Sequence, residues 1–410
     1  TAKIRTHEDA DSYDLVVGNA PWGDKSIKGE KKAPTEKSAA RTKEPLTKPE
    51  IWAKRHQWPV PNNDIGPVFL GKAAALVRPE GRVAMIQPAS TLLHQRAGLA
   101  EKLREKLFTE FTVDEVINLT AIRREIFNEA IGPACILTFG RGRPDPKQTL
   151  LYGAPKPHPG SEAQRALIIE PQDTNPISHA EAAREPLVWT VFALGGRRDW
   201  LLIRRLQALP TLEKLEASHQ VTTRLGVIPG NKQRELKGLK DKPYFESPAF
   251  PSSALLELDA DKIPKWREPF VADSDSTDVE AFKQPQMLIK QSFSARDARY
   301  RAVRVRSRDP VWGTVCKKTY LSVRDLSPQA KYLRAAVLAY NSQFAAYFLS
   351  LTSSRALYNT ELLSEEVRSL PLPDVPPAAE EPASFPEIDA LVQKQLKLNG
   401  ADTALIDDFL

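Results

Sequence analysis

Apolar residues in the first half of the chain fall into short unbroken runs that alternate with helically spaced ones. Leu15 to Gly18 is a brief apolar run ending in glycine, the pattern of a strand. Val68-Phe69-Leu70, Ala73-Ala74 and Leu76-Val77 recur at three- and four-residue intervals, which predicts a helix that Pro79-Glu80-Gly81 stops. Arg82 to Ile86 reads as a strand ending before Pro88, and Leu92 to Phe108 as a helix with charged faces. Val113 to Leu119 and Ala134 to Phe139 read as two further strands. Helices alternating with short apolar strands predict a layered α/β sheet.

Between these runs, residues 24–63 are rich in Lys, Pro, Thr and Glu and are expected to form a basic loop. Residues 141–186 read as a connector carrying one or two strands, and Glu185-Pro186 to Phe192 as a closing strand. The pattern changes near Arg197. Trp200 to Leu206 opens an amphipathic helix, and residues 221–232 read as a strand running into a glycine turn. Tyr332 to Phe348 reads as one long helix, Leu370-Pro371-Leu372-Pro373 as a short strand, and Ile388 to Leu398 as a last amphipathic helix. The expected organisation is therefore 1–192, a first α/β domain; 193–373, an α+β domain; and 374–410, a tail.

Charge sharpens this division. The net charge is +6, but residues 374–410 hold eight acidic and two basic residues, so the remainder carries +12. Residues 286–324 hold ten Lys/Arg against two Asp, with Phe293, Tyr300, Trp312 and Tyr320 interleaved. Arg299, Arg301, Arg304, Arg306, Lys317 and Lys318 are the candidate DNA contacts there, since basic side chains bind phosphates by charge and bidentate hydrogen bonds. On a strand, Arg304 and Arg306 would share one face. The alternative is a solvated basic face. Cys135 and Cys316 are too few for a disulfide framework or a zinc site, and the six histidines show no metal-ligand spacing. No run of 18 apolar residues is present, so no membrane helix is expected, and the composition suits the cytoplasm.

The chemistry concentrates in Asn19-Ala20-Pro21-Trp22, directly after the first strand. The Asn19 side-chain oxygen and the Ala20 carbonyl can each accept a hydrogen bond from an exocyclic amine. Pro21 fixes its own φ and restricts Ala20. Trp22 offers a face for a flat heteroaromatic ring, worth about 1–3 kcal/mol per base at stacking sites. The same four residues also suit a proline turn with a core tryptophan.

This stretch resembles motif IV of the amino-methylating DNA methyltransferases, usually written Asn-Pro-Pro followed by an aromatic residue, with Ala20 where the family most often has proline. The run from Phe69 through Gln87-Pro88 looks like that family's motif V helix and motif VI strand, and the run from Glu125 to Phe139 looks like its motif VIII. The resemblance implies a partial Rossmann-like methyltransferase sheet followed by a target-recognition domain of the fused restriction-modification or defence type. By that match, Asn19, Ala20, Pro21 and Trp22 are catalytic, Phe69 lies against the adenine of S-adenosyl-L-methionine, and Phe127 contacts the target base opposite Trp22. Each of the two phenylalanines also falls at an apolar position that a core would use. The stretch 221–232 and the runs 338–348 and 369–373 resemble the opening and closing segments of such recognition domains.

The family holds its cofactor at a glycine-rich turn after an earlier strand, and no such turn precedes Asn19. The chain begins with Thr1. The expectation is a C-terminal portion whose partners are double-stranded DNA, an upstream half of the catalytic domain and further restriction or defence subunits. The reading left beside it is a catalytically inactive DNA-binding or assembly subunit that keeps the fold. A third is an amino-group methylase acting on RNA or on a protein amide.

Overall fold

The structure is a computed structural model that describes residues 10–21, 48–127, 132–158, 168–272, 276–359, 361–376 and 379–410, without the side chains of 231–233 and 237. The chain divides into two compact units, residues 1–200 and 201–410.

Unit 1 is built on a six-stranded mixed sheet. Its strands are β1 (Tyr13–Asn19), β2 (Val77–Pro88), β3 (Phe111–Asn118), β4 (Ala134–Arg141), β5 (Thr149–Gly153) and β6 (Thr174–Ser178), in the order β1-β2-β4-β3-β5-β6. β1 runs parallel to β2 and β3 parallel to β5; the other pairings are antiparallel. The strands expected up to residue 139 are present, and β5 and β6 lie inside the expected connector, which therefore completes the sheet.

Three expectations need correction. Residues 48–55 of the expected basic loop form helix α1 (Lys48–Arg55); the remainder through residue 47 lies outside the described residues. The helix α2 (Gly66–Leu76) packs flush against this segment. A Cβ on Gly71 would lie 2.6 Å from the Trp52 ring and 2.9 Å from that of Trp58, so glycine permits the contact. Trp58 locks it by donating from Nε1 to the Pro67 carbonyl at 2.7 Å. The helix expected over Leu92–Phe108 is split into a π-helical turn, Ser90–His94, and α3 (Leu99–Glu110). At the break the buried Arg104 guanidinium donates to the carbonyls of Leu92, Gln95 and Arg96. The run expected as a closing strand is helical, Val188–Leu194, with six of its seven residues buried, so its apolar run carries no period that separates helix from strand. Trp189 is fully buried, packs against Phe108 at 5.2 Å between ring centroids, and its carbonyl accepts from the Tyr152 hydroxyl at 2.7 Å.

Unit 2 contains a five-stranded sheet of β7 (Val221–Leu225), β10 (Glu257–Asp259), β12 (Gln286–Lys290), β13 (Ala302–Arg306) and β15 (Tyr320–Asp325), ordered β10-β13-β12-β15-β7. Two small sheets accompany it: β8 (Pro229–Glu235) with β11 (Phe270–Val271), and β9 (Tyr244–Phe245) with β14 (Val315–Cys316). The expected glycine turn joins β7 to β8. A Cβ on Gly226 would lie 2.2 Å from the carbonyl oxygens of Cys316 and Lys317, so only glycine allows these strands to meet.

The helix expected over 332–348 is two helices, Lys331–Tyr340 and Gln343–Thr352. Ser342 ends the first and caps the second, accepting from the Ala345 N–H. Asn341 turns its amide onto the sheet, donating to the Ala302 carbonyl at 2.6 Å and accepting from the Ala302 N–H at 3.4 Å. At the other end Asp325 accepts from the N–H groups of Tyr332 and Leu333, a cap worth about 1 kcal/mol. Leu370–Pro373 forms no strand, since two of its four residues lack an N–H to donate. The acidic tail holds two helices, Phe385–Gln395 and Gly400–Phe409.

Candidate functional site

β1 and β2 carry their C-terminal ends to the same place, with Asn19 opposite Ile86 in the register. Chain direction and pleat decide what faces what. Gly18 lies over Met85 of β2, Ala20 is buried, and Asn19 and Pro21 are exposed. The Asn19 amide makes no hydrogen bond among the described residues. α2 brings Phe69, Lys72, Ala73 and Leu76 to the same spot, because three- and four-residue intervals share a helix face.

Together these elements line an open cavity of about 340 Å³. Its walls are Val16 to Pro21 of β1 and its extension, the four α2 residues, and Met85. Asn19, Ala20, Pro21 and Phe69, singled out in the sequence fifty residues apart, thus line one space. Trp22 lies outside the described residues. Phe127 does not line the cavity; it is half-buried against Ile117, Leu119, Ile122 and Ala134. Lys72 and Met85 were not singled out from sequence. The available signal for Lys72 was its position one turn after Phe69.

In unit 2 the basic run resolves into three groups. Arg299 and Arg301 are buried and are corrected as DNA contacts, because their guanidinium groups are spent on the fold. Arg299 donates to the Asn341 carbonyl at 2.8 Å and lies 4.3 Å from the Phe385 ring centroid. Arg301 donates to Asn341 Oδ1 at 2.9 Å, to Asp297 at 2.8 Å and to the Ala254 carbonyl at 2.7 Å. Arg304 and Arg306 do share a face of β13, opposite Val303 and Val305. Both are paired across the parallel ladder to β10, Arg304 with Glu257 at 3.1 Å and Arg306 with Asp259 at 3.0 Å. Arg304 also meets Glu381. Lys317 and Lys318 are exposed and form no ion pair among the described residues.

A larger open cleft, about 790 Å³, lies nearby in the same unit. Tyr244 and Trp266 stack in its wall at 4.3 Å between centroids, with Lys262, Lys265 and Arg306 also lining it. Asp297 is partly desolvated, which pushes its carboxyl up, but hydrogen bonds from Arg296, Arg301 and Ser294 outweigh that and bring it down to about 2. Burial raises both cysteine thiols far above their usual range, which leaves Cys135 and Cys316 without nucleophilic character at neutral pH. No helix among the described residues is long and apolar enough to cross a membrane.

Residues 1–185 match the family model described as N-6 DNA Methylase. No curated protein matches. Among solved structures, the type IIG restriction endonuclease BpuSI aligns at 12% identity with a TM-score of 0.35, over 99% of this chain and 54% of that one. The type IIL restriction-modification enzyme MmeI, solved in complex with DNA, aligns at 10% identity and 0.36, over 96% and 56%. A modification subunit of a putative type I restriction enzyme from Vibrio vulnificus YJ016 aligns at 15% identity and 0.27, over 42% and 35%. The chain spans about half the length of BpuSI and MmeI.

Proposed function

With residues 1–185 matching the N-6 DNA methylases, we propose that the chain takes part in S-adenosylmethionine-dependent methylation of the exocyclic amino group of adenine in DNA, within a restriction-modification or defence system. The observation that carries this reading is the meeting of Asn19-Ala20-Pro21 and Phe69 on one cavity. The cavity falls within the range of small-molecule sites, roughly 300–1,000 Å³. Its apolar walls (Val16, Leu76, Met85) and one aromatic ring fit the flat adenosyl portion of the cofactor. When bound, the cofactor supplies an electrophilic methyl group.

The remaining steps belong to this chain's residues. The target adenine must leave the base stack to reach them, as enzymes acting on bases require. Asn19 Oδ1 and the Ala20 carbonyl accept the two amino hydrogens. Holding both draws the nitrogen lone pair out of conjugation with the ring and aims it at the methyl carbon; the methylated nitrogen then releases one of its two hydrogens as a proton to water. Pro21 keeps the Ala20 carbonyl in place. No covalent enzyme intermediate is required.

β1 forms one edge of the sheet and exposes Tyr13, Leu15 and Val17. An apolar edge of this kind is suited to pairing with a further strand, the role assigned to an upstream part of the catalytic domain. Unit 2 is assigned target recognition, with Lys317 and Lys318 as phosphate contacts. A cytoplasmic location goes with this reading.

A methyl-transfer assay with labelled cofactor and duplex DNA tests the proposal. Asn19→Ala should lower transfer by about 10²–10³-fold, the usual loss of an oriented catalytic hydrogen-bonding group, while DNA affinity holds. Transfer at the unaltered rate overturns the catalytic assignment.

A further inference from the structure

Lys72 is half-buried, lines the 340 Å³ cavity, and has no ion pair or hydrogen bond among the described residues. Its neighbours on the cavity wall are apolar or amide groups: Phe69 one turn back, Leu76 one turn on, Met85 across, and Asn19 at the end of β1. Among the described residues no carboxylate lines the cavity. An ammonium has three donors and no acceptor, and a cation drawn out of water needs something to donate to. The wall supplies one side-chain acceptor, Asn19 Oδ1, which the proposed reaction uses on the substrate amine. Half-buried on the wall and unpaired among the described residues, Lys72 is free to donate to a ligand that fills the cavity.

We propose that Lys72 is a ligand-binding residue of this cavity that donates a hydrogen bond from Nζ to a ring nitrogen of an adenine nucleoside. The inference rests on the methyltransferase reading, in which both the cofactor and the target nucleotide carry adenine. Placement one turn from Phe69 lets a flat ring meet the aromatic side chain and the ammonium from the same helix face. A lysine that merely shields apolar surface would instead keep its head in water and contribute through its stem. The two roles differ in what Lys72→Met does, because methionine keeps most of the stem and removes the donor.

The probe is adenosine, followed by ligand-detected NMR with the 410-residue chain, a method that reads weak binding. The unaltered chain should bind adenosine, Lys72→Met should bind about tenfold more weakly, equivalent to about 1.4 kcal/mol, and Lys72→Arg should recover part of the loss. Adenosine analogues lacking one ring nitrogen (1-deaza, 3-deaza, 7-deaza) locate the acceptor. One of them should lose affinity for the unaltered chain and show no further loss with Lys72→Met, since the interaction is already gone. Displacement by S-adenosylhomocysteine assigns the nucleoside to the cofactor; displacement only by an adenine-containing single strand assigns it to the target.

Equal affinity of the unaltered chain and Lys72→Met overturns the role of Lys72 and leaves the cavity assignment standing. Failure of the unaltered chain to bind adenosine overturns both. Binding of adenosine 5′-phosphate that exceeds adenosine only when Lys72 is present shows a phosphate contact and overturns the ring contact. Matching thermal unfolding of the variants confirms that the comparison is between folded chains.

Discussion

Arg299 Nη1 donates to both carboxylate oxygens of Asp389, each at 3.2 Å. The pair ties the strand-entry segment before β13 to the tail helix Phe385–Gln395, and the Gln343 N–H adds a third hydrogen bond to Asp389 at 2.7 Å. Burial raises the Asp389 carboxyl above its ordinary range, against the pull of the Gln343 N–H and the guanidinium. A pair held this way belongs to the fold.

Removing one partner of such a pair strands the other charge in a desolvated site. Arg299→Ala or Asp389→Ala should each cost about 3 kcal/mol in urea unfolding. The double variant Arg299→Met/Asp389→Leu should cost less than either, since it strands neither member of the pair. Single variants as stable as the parent would remove the pair from the account of stability.

DNA affinity should depend on a different part of the same basic run. Lys317 and Lys318 are exposed and form no ion pair among the described residues, so the double variant Lys317→Ala/Lys318→Ala should keep its unfolding midpoint. Its log–log salt dependence of DNA binding should flatten by about 0.9 for each phosphate that the two lysines neutralise in the parent. Titration across several salt concentrations reads this directly, and an unchanged slope would exclude both lysines from the interface.

Asp297 gives a defined acid response. Its carboxyl is more acidic in the native fold, at about 2, than in an unfolded chain, where it is about 3.9. The stability it contributes is therefore complete above about pH 4 and is lost as pH falls from there toward 2. Unfolding followed between about pH 6 and pH 2.5 should show a steeper acid loss for the parent than for Asp297→Asn. Parallel curves would mean that the carboxylate contributes nothing specific.

What the sequence showed, and what it hid, follows from the range of the interactions involved. Strands β2 to β4 and helix α2 were legible because each is a local apolar pattern backed by burial, whereas β1 was legible as an apolar run although its side chains stay largely exposed. The union of Asn19 and Phe69 could only be supposed from resemblance, because it depends on parallel pairing between strands more than sixty residues apart. The split of the helix at Asn341-Ser342 was hidden because the competing bonds come from Ala302 and Arg301, distant in sequence. The basic run misled for a related reason. Its charge was counted along the chain, whereas Glu257, Asp259, Glu381 and Asp389 cancel much of it across space. Arg299 and Arg301 looked like ligands for phosphate and are ligands for the protein.

The Asn341 amide has one further consequence. A carboxamide that receives from an N–H and donates to the C=O of the same residue presents the face a neighbouring strand would present. β10 pairs with β13 from Arg304 to Arg306 and stops short of Ala302. Asn341 thus acts as a strand one residue long, continuing the ladder where the real strand has ended. A slip of β13 by a single residue would carry Ala302 out of this grip and turn Arg304 and Arg306 toward the core. One side chain, delivered from a broken helix, thus reinforces the register that strand pairing and the buried Val303 and Val305 already favour.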